Sequence, residues 1–197
     1  MISEFFRQLS IGTRISNAGD GGTKLFRSEA SVWEKDMLTL INCERLKLLG
    51  SSYALSLDPY ASAVARRHSL DMSLRHYFNH VSPEGKNLAE RLREARIHYV
   101  AAGENIALQP IGLRPIVLAL RRQHQGLMAS PGHRENILNP TFNTVGVGIV
   151  KGKGKLYTTE VFITDNSKMM SPAFHSCEYE RLRRTVVRIL PSKSERR

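Results

Sequence analysis

Apolar positions along the chain follow a helical rhythm first and a strand rhythm last. From Ser31 onward, Trp33, Met37, Leu40, Ile41 and Leu48 recur at the spacing that lines one face of an α-helix. Ser31 and Glu34 stand where a serine hydroxyl and a glutamate can exchange hydrogen bonds with each other's backbone, the capping box that opens a helix. Gly50 predicts its end. Asp58-Pro59 predicts a second start, an N-cap followed by the residue best suited to a first turn. Its stripe is Ala61, Val64, Ala65, His68 and Met72. His68 lies on the apolar face, which predicts a core histidine with satisfied ring nitrogens rather than a ligand. Asn87 and Glu90 cap a third predicted helix carrying Leu88, Leu92 and Ala95. A fourth is predicted from Pro115 through Ile116, Leu120, His124 and Leu127. It should stop around Ser130-Pro131-Gly132, because a residue before proline is pushed out of the helical region.

The rhythm then changes. Val145-Gly146-Val147-Gly148-Ile149-Val150 is a β-branched run broken by glycines, which predicts a strand closely packed by another element. Lys151 to Lys155 reads as a hairpin turn. Leu156 to Thr164 reads as the return strand, with Tyr157, Thr159, Val161 and Ile163 on one face and Thr158, Glu160 and Phe162 on the other. Helices first and an antiparallel hairpin last predict an α+β layered domain rather than a parallel βαβ fold.

The 197 residues fit one domain with appendages: a flexible leader over 1–33, Gly, Ser and Asn rich, a domain over 34–165, and a basic tail over 166–197. Apolar residues make up 41%, enough for a core. No run of about 18 apolar residues predicts a transmembrane helix. The first nine residues lack the continuous apolar run of a secretory signal, so the chain is expected to stay inside, to leave by another route, or to start further upstream. Net charge is +11, and the last 32 residues carry eight basic against three acidic groups. Such a block is usually a solvated tail; its sharper reading is an arm for an anionic surface. Within it Tyr179, Leu182, Val186 and Ile189 or Leu190 fall near helical spacing between arginines, a basic amphipathic stripe that suits an anionic membrane, a partner or the domain's own surface. Nothing in the chain predicts a specific nucleic-acid function. Of the two cysteines, Cys43 falls inside a predicted helix and reads as a small apolar residue, with a bridge to Cys177 left open.

Three phrases carry the candidate chemistry. They are His76-Tyr77-Phe78-Asn79-His80-Val81-Ser82-Pro83-Glu84-Gly85, then Gly103-Glu104-Asn105-Ile106-Ala107, then Ser130-Pro131-Gly132-His133-Arg134-Glu135-Asn136-Ile137-Leu138. Each sets a His or Glu beside Gly, Pro or Ser, where a polar side chain is held at the edge of a cleft. His80, Glu104 and His133 are the candidate site. Two imidazoles and a carboxylate suffice as ligands for zinc with one open position; the same three can form a hydrogen-bonded network without metal. Their separations, 24 and 29 residues, are not a local metal motif.

These phrases, with Leu40-Ile41-Asn42-Cys43-Glu44-Arg45, Leu55-Ser56-Leu57-Asp58 and His68-Ser69-Leu70-Asp71-Met72, resemble the CAP superfamily of cysteine-rich secretory, antigen 5 and pathogenesis-related 1 domains. The likeness runs from about Met37 to Ile163 and is nearest the cysteine-poor bacterial SCP-like branch. It implies an α-β-α sandwich with a central antiparallel sheet and a large open cleft. It matches His80 to the first cleft histidine, Glu104 to the Gly-Glu-Asn glutamate and His133 to the histidine after Ser-Pro-Gly. Lys155 and Leu156 stand where other members carry a second cleft histidine, and Glu160 stands where they carry Gln. The resemblance implies an extracellular or cell-envelope setting. Two functions follow as expectations: a non-enzymatic binding module taking a peptide, lipid or envelope ligand in the cleft, and, as the alternative, a hydrolase using the same cleft with or without a divalent metal such as zinc.

Overall fold

Ser31 opens the first helix, α1 (Val32–Leu48). Its hydroxyl accepts from the Glu34 N–H at 3.3 Å and the Glu34 carboxylate accepts from the Ser31 N–H at 2.9 Å, closing the predicted box. Buried Glu34 also accepts from Arg66 at 2.6 and 2.8 Å, which ties α1 to the next helix. That helix, α2 (Pro59–Arg75), starts on Asp58, whose Oδ1 accepts from the N–H groups of Tyr60 and Ala61. Asn87 and Glu90 form a second capping box at the head of α3 (Leu88–Glu94).

The computed structural model describes residues 31–112 and 115–165. Of the leader read over 1–33, only the last three residues are therefore described, and the tail over 166–197, with Cys177 and its amphipathic stripe, lies outside. Helices α4 (Ile116–Ala129) and α5 (Pro131–Leu138) meet at Ser130, the end of one and the N-cap of the other. Sequence reasoning expects a stop here; the structure has a stop followed at once by a new helix. Extended Ser130 before the proline ends α4, and Pro131 then starts α5, where its missing N–H has no bond to lose.

Strands β1 (Ser56–Leu57), β2 (Ala101–Pro110), β3 (Thr144–Gly152) and β4 (Lys155–Thr164) make one sheet in the order β1-β3-β4-β2. The β3–β4 hairpin is the predicted one, tightened to a two-residue turn at Lys153 and Gly154, both at positive φ. Pattern does not announce β2. It pairs antiparallel with β4 from Ala101 opposite Thr164 to Pro110 opposite Lys155. The expected antiparallel sheet is thus extended to a mixed one, because β1 runs parallel to β3 through Ser56 and Leu57.

Helices cover both faces. On one, α2 and α3 bury Ala61, Val64, Ala65 and Leu92 against Val161 and Ile163. On the other, α1, α4 and α5 bury Met37, Ile41, Leu120, Leu127 and Ile137 against Val145, Val147, Ile149 and Phe162. The result is an α-β-α sandwich, with the β4 side chains alternating as predicted. The β3 glycines let α2 touch the strand's backbone. A Cβ on Gly148 would lie 2.1 Å from the Arg66 nitrogen, and one on Gly146 would lie 2.2 Å from the Ala61 carbonyl carbon.

Among the polar side chains buried between the layers are two histidines and an arginine. His68 is the predicted core histidine: its Nε2 lies 3.0 Å from the Asn79 carbonyl and its Nδ1 3.5 Å from the Tyr77 hydroxyl. His124 is buried with no partner for either ring nitrogen among the described residues, and burial pushes its pKa down to about 4. Arg45 has no exposed surface. It donates to the carbonyls of Tyr53 (2.6 Å), Ile137 (2.8 Å), Asn139 (2.9 Å) and Phe142 (3.1 Å). Cys43 is half-buried, and burial first raises its thiol to about 11, which leaves it unreactive at neutral pH.

Arg45→Met keeps most of the buried volume and removes every one of these bonds. It is expected to cost roughly 3–5 kcal/mol of stability in urea denaturation, the scale for stripping a charged donor from buried acceptors. A loss under about 1 kcal/mol would show that other donors reach the four carbonyls.

Candidate functional site

The three phrases meet at β2, an edge strand. Alternation along β2 sends neighbouring side chains to opposite faces. Glu104 turns toward the α2–α3 layer, where its partners come from the α2–α3 loop and from α3; Asn105 turns toward α5. Gly103 lets α5 come close, since a Cβ there would fall 2.7 Å from Asn136 Oδ1 and 3.1 Å from the Phe142 ring.

His80 sits in the loop between α2 and α3. Ser82 braces that loop as its position suggests: its hydroxyl accepts from the Lys86 N–H at 3.2 Å, and its carbonyl accepts from the Gly85 N–H at 2.8 Å. His80 Nδ1 lies 2.9 Å from Glu104 Oε1. A carboxylate can only accept, so Nδ1 carries the proton and a neutral His80 keeps its lone pair on Nε2. The second glutamate oxygen, Oε2, takes Arg91 Nη2 at 2.5 Å. Arg91 Nη1 also donates to the carbonyls of His80 (2.9 Å) and Lys86 (3.1 Å), so one guanidinium holds both the histidine's loop and its carboxylate. Both side chains of this ion pair are nearly buried, at 9% and 4% exposure.

His133 lies in the first turn of α5, with Nδ1 2.9 Å from Ser130 Oγ. Burial holds its pKa below the usual histidine value, and His80 lowers it further. Asn105 donates to the His133 carbonyl at 3.1 Å and Asn136 donates to the Glu104 carbonyl at 3.3 Å, so α5 is stitched to β2. Of the predicted residues, then, His80 and Glu104 touch, while His133 is tied to β2 through its backbone carbonyl, which accepts from Asn105.

The zinc set expected from sequence does not fit this arrangement. Glu104 has both oxygens committed, one to an imidazole and one to a guanidinium that repels a cation. Among the described residues no three His, Cys, Asp or Glu side chains are disposed to hold an ion. Arg91, Asn105 and Asn136 are the functional residues that sequence reasoning leaves without a role. The Asn87–Glu90 capping box, which fixes the register of α3, is the local signal that bears on Arg91. The loop that carries His80 also exposes two apolar side chains, Phe78 and Val81, at 45% and 41%.

An α-β-α sandwich with a histidine–glutamate cleft on its edge strand defines a class of domain. The chain belongs to the Cysteine-rich secretory protein family (CAP), which matches residues 38–166. It is 37% identical over 133 residues to YkwD of Bacillus subtilis (strain 168), covering 68% of this chain and 48% of that protein. It is 35% identical over 130 residues to the membrane protein YlbC of the same organism, covering 66% and 34%. The chain thus spans about half or less of the length of these relatives. Among solved structures, an extracellular protein containing a SCP domain from Bacillus anthracis str. Ames superposes with TM-score 0.57 at 31% identity, over 75% of this chain and 45% of that one. An outer surface protein from Borrelia burgdorferi shares the fold at TM-score 0.59 and 18% identity, over 71% of this chain and 97% of that one. No helix among the described residues is long and apolar enough to cross a membrane.

Arg91→Met leaves the Glu104 carboxylate nearly buried without its cation. It should cost about 3–5 kcal/mol, measured by urea denaturation near neutral pH, and adding Glu104→Gln should restore part of the loss. If the single variant is as stable as the parent, Arg91 does not hold the site together.

Proposed function

We propose that the chain is a non-enzymatic binding module of the cell exterior, using the His80–Glu104 cleft for a peptide, lipid or envelope ligand. One observation carries this reading. Glu104 is neutralised by Arg91 and orients His80, so the cleft offers fixed hydrogen-bonding groups beside the exposed apolar side chains of Phe78 and Val81. A few placed polar groups within an apolar lining is the usual make-up of a ligand site. The extracellular setting of the Bacillus anthracis SCP protein supports the location.

The ligand class is tested by titrating the isotope-labelled protein separately with short extended peptides, phosphatidylglycerol vesicles and muropeptides. One class should shift the resonances of His80, Val81 and Glu104, and His80→Ala should weaken its binding about tenfold or more, the scale of losing a hydrogen bond to a charged group. Shifts confined to other surfaces would overturn the cleft reading. Cleavage of an added peptide, abolished by His80→Ala, Glu104→Gln or His133→Ala, would replace the module with a hydrolase using the same cleft.

The same reading takes residues 34–165 as the domain, residues 1–33 as a leader and the basic tail as an arm for an anionic surface. Truncation after Ser171 should then abolish binding to anionic vesicles, which in the full chain should weaken as salt shortens the electrostatic reach to about 8 Å. A truncated chain that binds equally well would remove that role from the tail.

A further inference from the structure

Asn105 joins two layers of the fold. Its side chain is fully buried, and its amide is almost completely used. Nδ2 donates to the His133 carbonyl and to Glu160 Oε2, both at 3.1 Å, and Oδ1 accepts from Asn136 Nδ2 at 3.0 Å. Glu160 lies on β4, opposite Asn105 on one side and Val147 on the other. It has no exposed surface, and its Oε1 has no partner among the described residues. A buried carboxyl usually has a cation or several donors; this one has a single shared amide.

The ionisable groups on the helices over this face are otherwise engaged or outside bonding reach. On α1 they are Glu34, bound to Arg66, Asp36, half-buried Cys43, Glu44 beside Lys47, and Arg45, bound to carbonyls, with Lys35 exposed. On α4 they are Arg121 and neutral His124, and on α5 His133, whose ring faces Ser130. None bonds to Glu160. Burial raises the Glu160 pKa to about 7, with Asn105 pulling weakly the other way.

We propose that Glu160 is a proton-controlled joint: losing its proton draws Asn105 away from the His133 carbonyl, loosens the start of α5, and so retunes the cleft with pH. The chemistry is a competition for donors. A neutral carboxyl is content with one of the two hydrogens on Asn105. A carboxylate in a dry core demands more, and the other hydrogen of Asn105 is the donor already at hand. Giving it up frees the His133 carbonyl and shifts the amide that also holds Asn136. Asn136 in turn releases the Glu104 carbonyl, so the effect crosses β2 to the His80 side. The inference concerns how the cleft is held and does not depend on what the cleft binds.

The sign follows from linkage. The folded state keeps this proton to a higher pH than the unfolded chain, so the stabilisation is full below the ordinary glutamate value of 4.5 and is lost as pH rises through about 7. His124 runs the opposite way: its stabilisation is full above 6.5 and falls away toward about 4. Whole-protein melting mixes the two, so local readouts are needed.

Carboxyl resonances of the carbon-labelled full chain should show Glu160 titrating near neutrality. Hydrogen exchange, corrected for intrinsic rate, should show residues 131–138 losing protection by up to roughly tenfold per pH unit as pH rises toward that midpoint and levelling off above it, the limit for one linked proton. Glu160→Gln should keep that protection at alkaline pH, and helix α2 should be unaffected in both proteins. A Glu160 midpoint in the ordinary range, or α5 protection that ignores the titration, would overturn the proposal. So would an equal loss in Glu160→Gln. The parent chain alone supplies the first two outcomes, so the idea stays testable even if the variant folds poorly.

Discussion

A guanidinium surrounded only by carbonyls sets the position of everything on one side of the sheet. Arg45 reaches from α1 to the carbonyls of Ile137 and Asn139 at the end of α5, and to those of Tyr53 and Phe142. Burial lowers its pKa to about 10, so it is still charged at neutral pH, and no carboxylate bonds to it among the described residues. Its charge is met instead by the negative ends of peptide dipoles, where a short helix leaves its last acceptors unsatisfied. An eight-residue helix has little stability of its own. Clamped at its C-terminal end by Arg45, α5 can present Asn136 and His133 to β2, and the cleft's second wall exists because of that clamp.

The Gly103-Glu104-Asn105 phrase then serves two layers. The absent Cβ of Gly103 admits Asn136, the carboxylate of Glu104 receives the α2–α3 loop through His80 and Arg91, and the amide of Asn105 receives α5 and the core. Strand alternation makes this possible, because successive residues necessarily serve opposite faces. Charge is handled in the same divided way. On the cleft side a carboxylate is matched by a guanidinium, and on the core side a buried carboxyl meets a single amide donor among the described residues.

What could be read from the sequence was what acts over a few residues. The caps at Ser31, Asp58 and Asn87 announce their helices because donor and acceptor lie within one turn of each other. The β3–β4 hairpin shows through β-branched alternation, and its glycines announce the close approach of α2. Strand β2 stays hidden because Ala101-Ala102-Gly103-Glu104-Asn105 has neither β-branched residues nor alternation; its extended state comes from pairing with β4. Helix α5 stays hidden because Pro131 reads equally as an end and as a beginning. His80, Glu104 and His133 were legible through family phrases, but the reach of Arg91 to Glu104 from another element was not. The roles of Arg91, Asn105, Asn136 and Arg45 rest on contacts that no local spacing encodes.

The close seating of α2 on β3 divides the molecule mechanically. Backbone resting on backbone at Gly146 and Gly148 has no side-chain layer to compress or re-rotamer, so α2 cannot slide or tilt on the sheet without collision. The opposite face is lined by Met, Leu, Ile and Phe side chains, and its smallest helix is held by hydrogen bonds as well as by packing of Ile137 and the close approach of Asn136 to Gly103. The two sides of the sheet therefore differ in kind: α2 is seated by backbone contact with β3, and α5 is tied to β2 by side-chain amides.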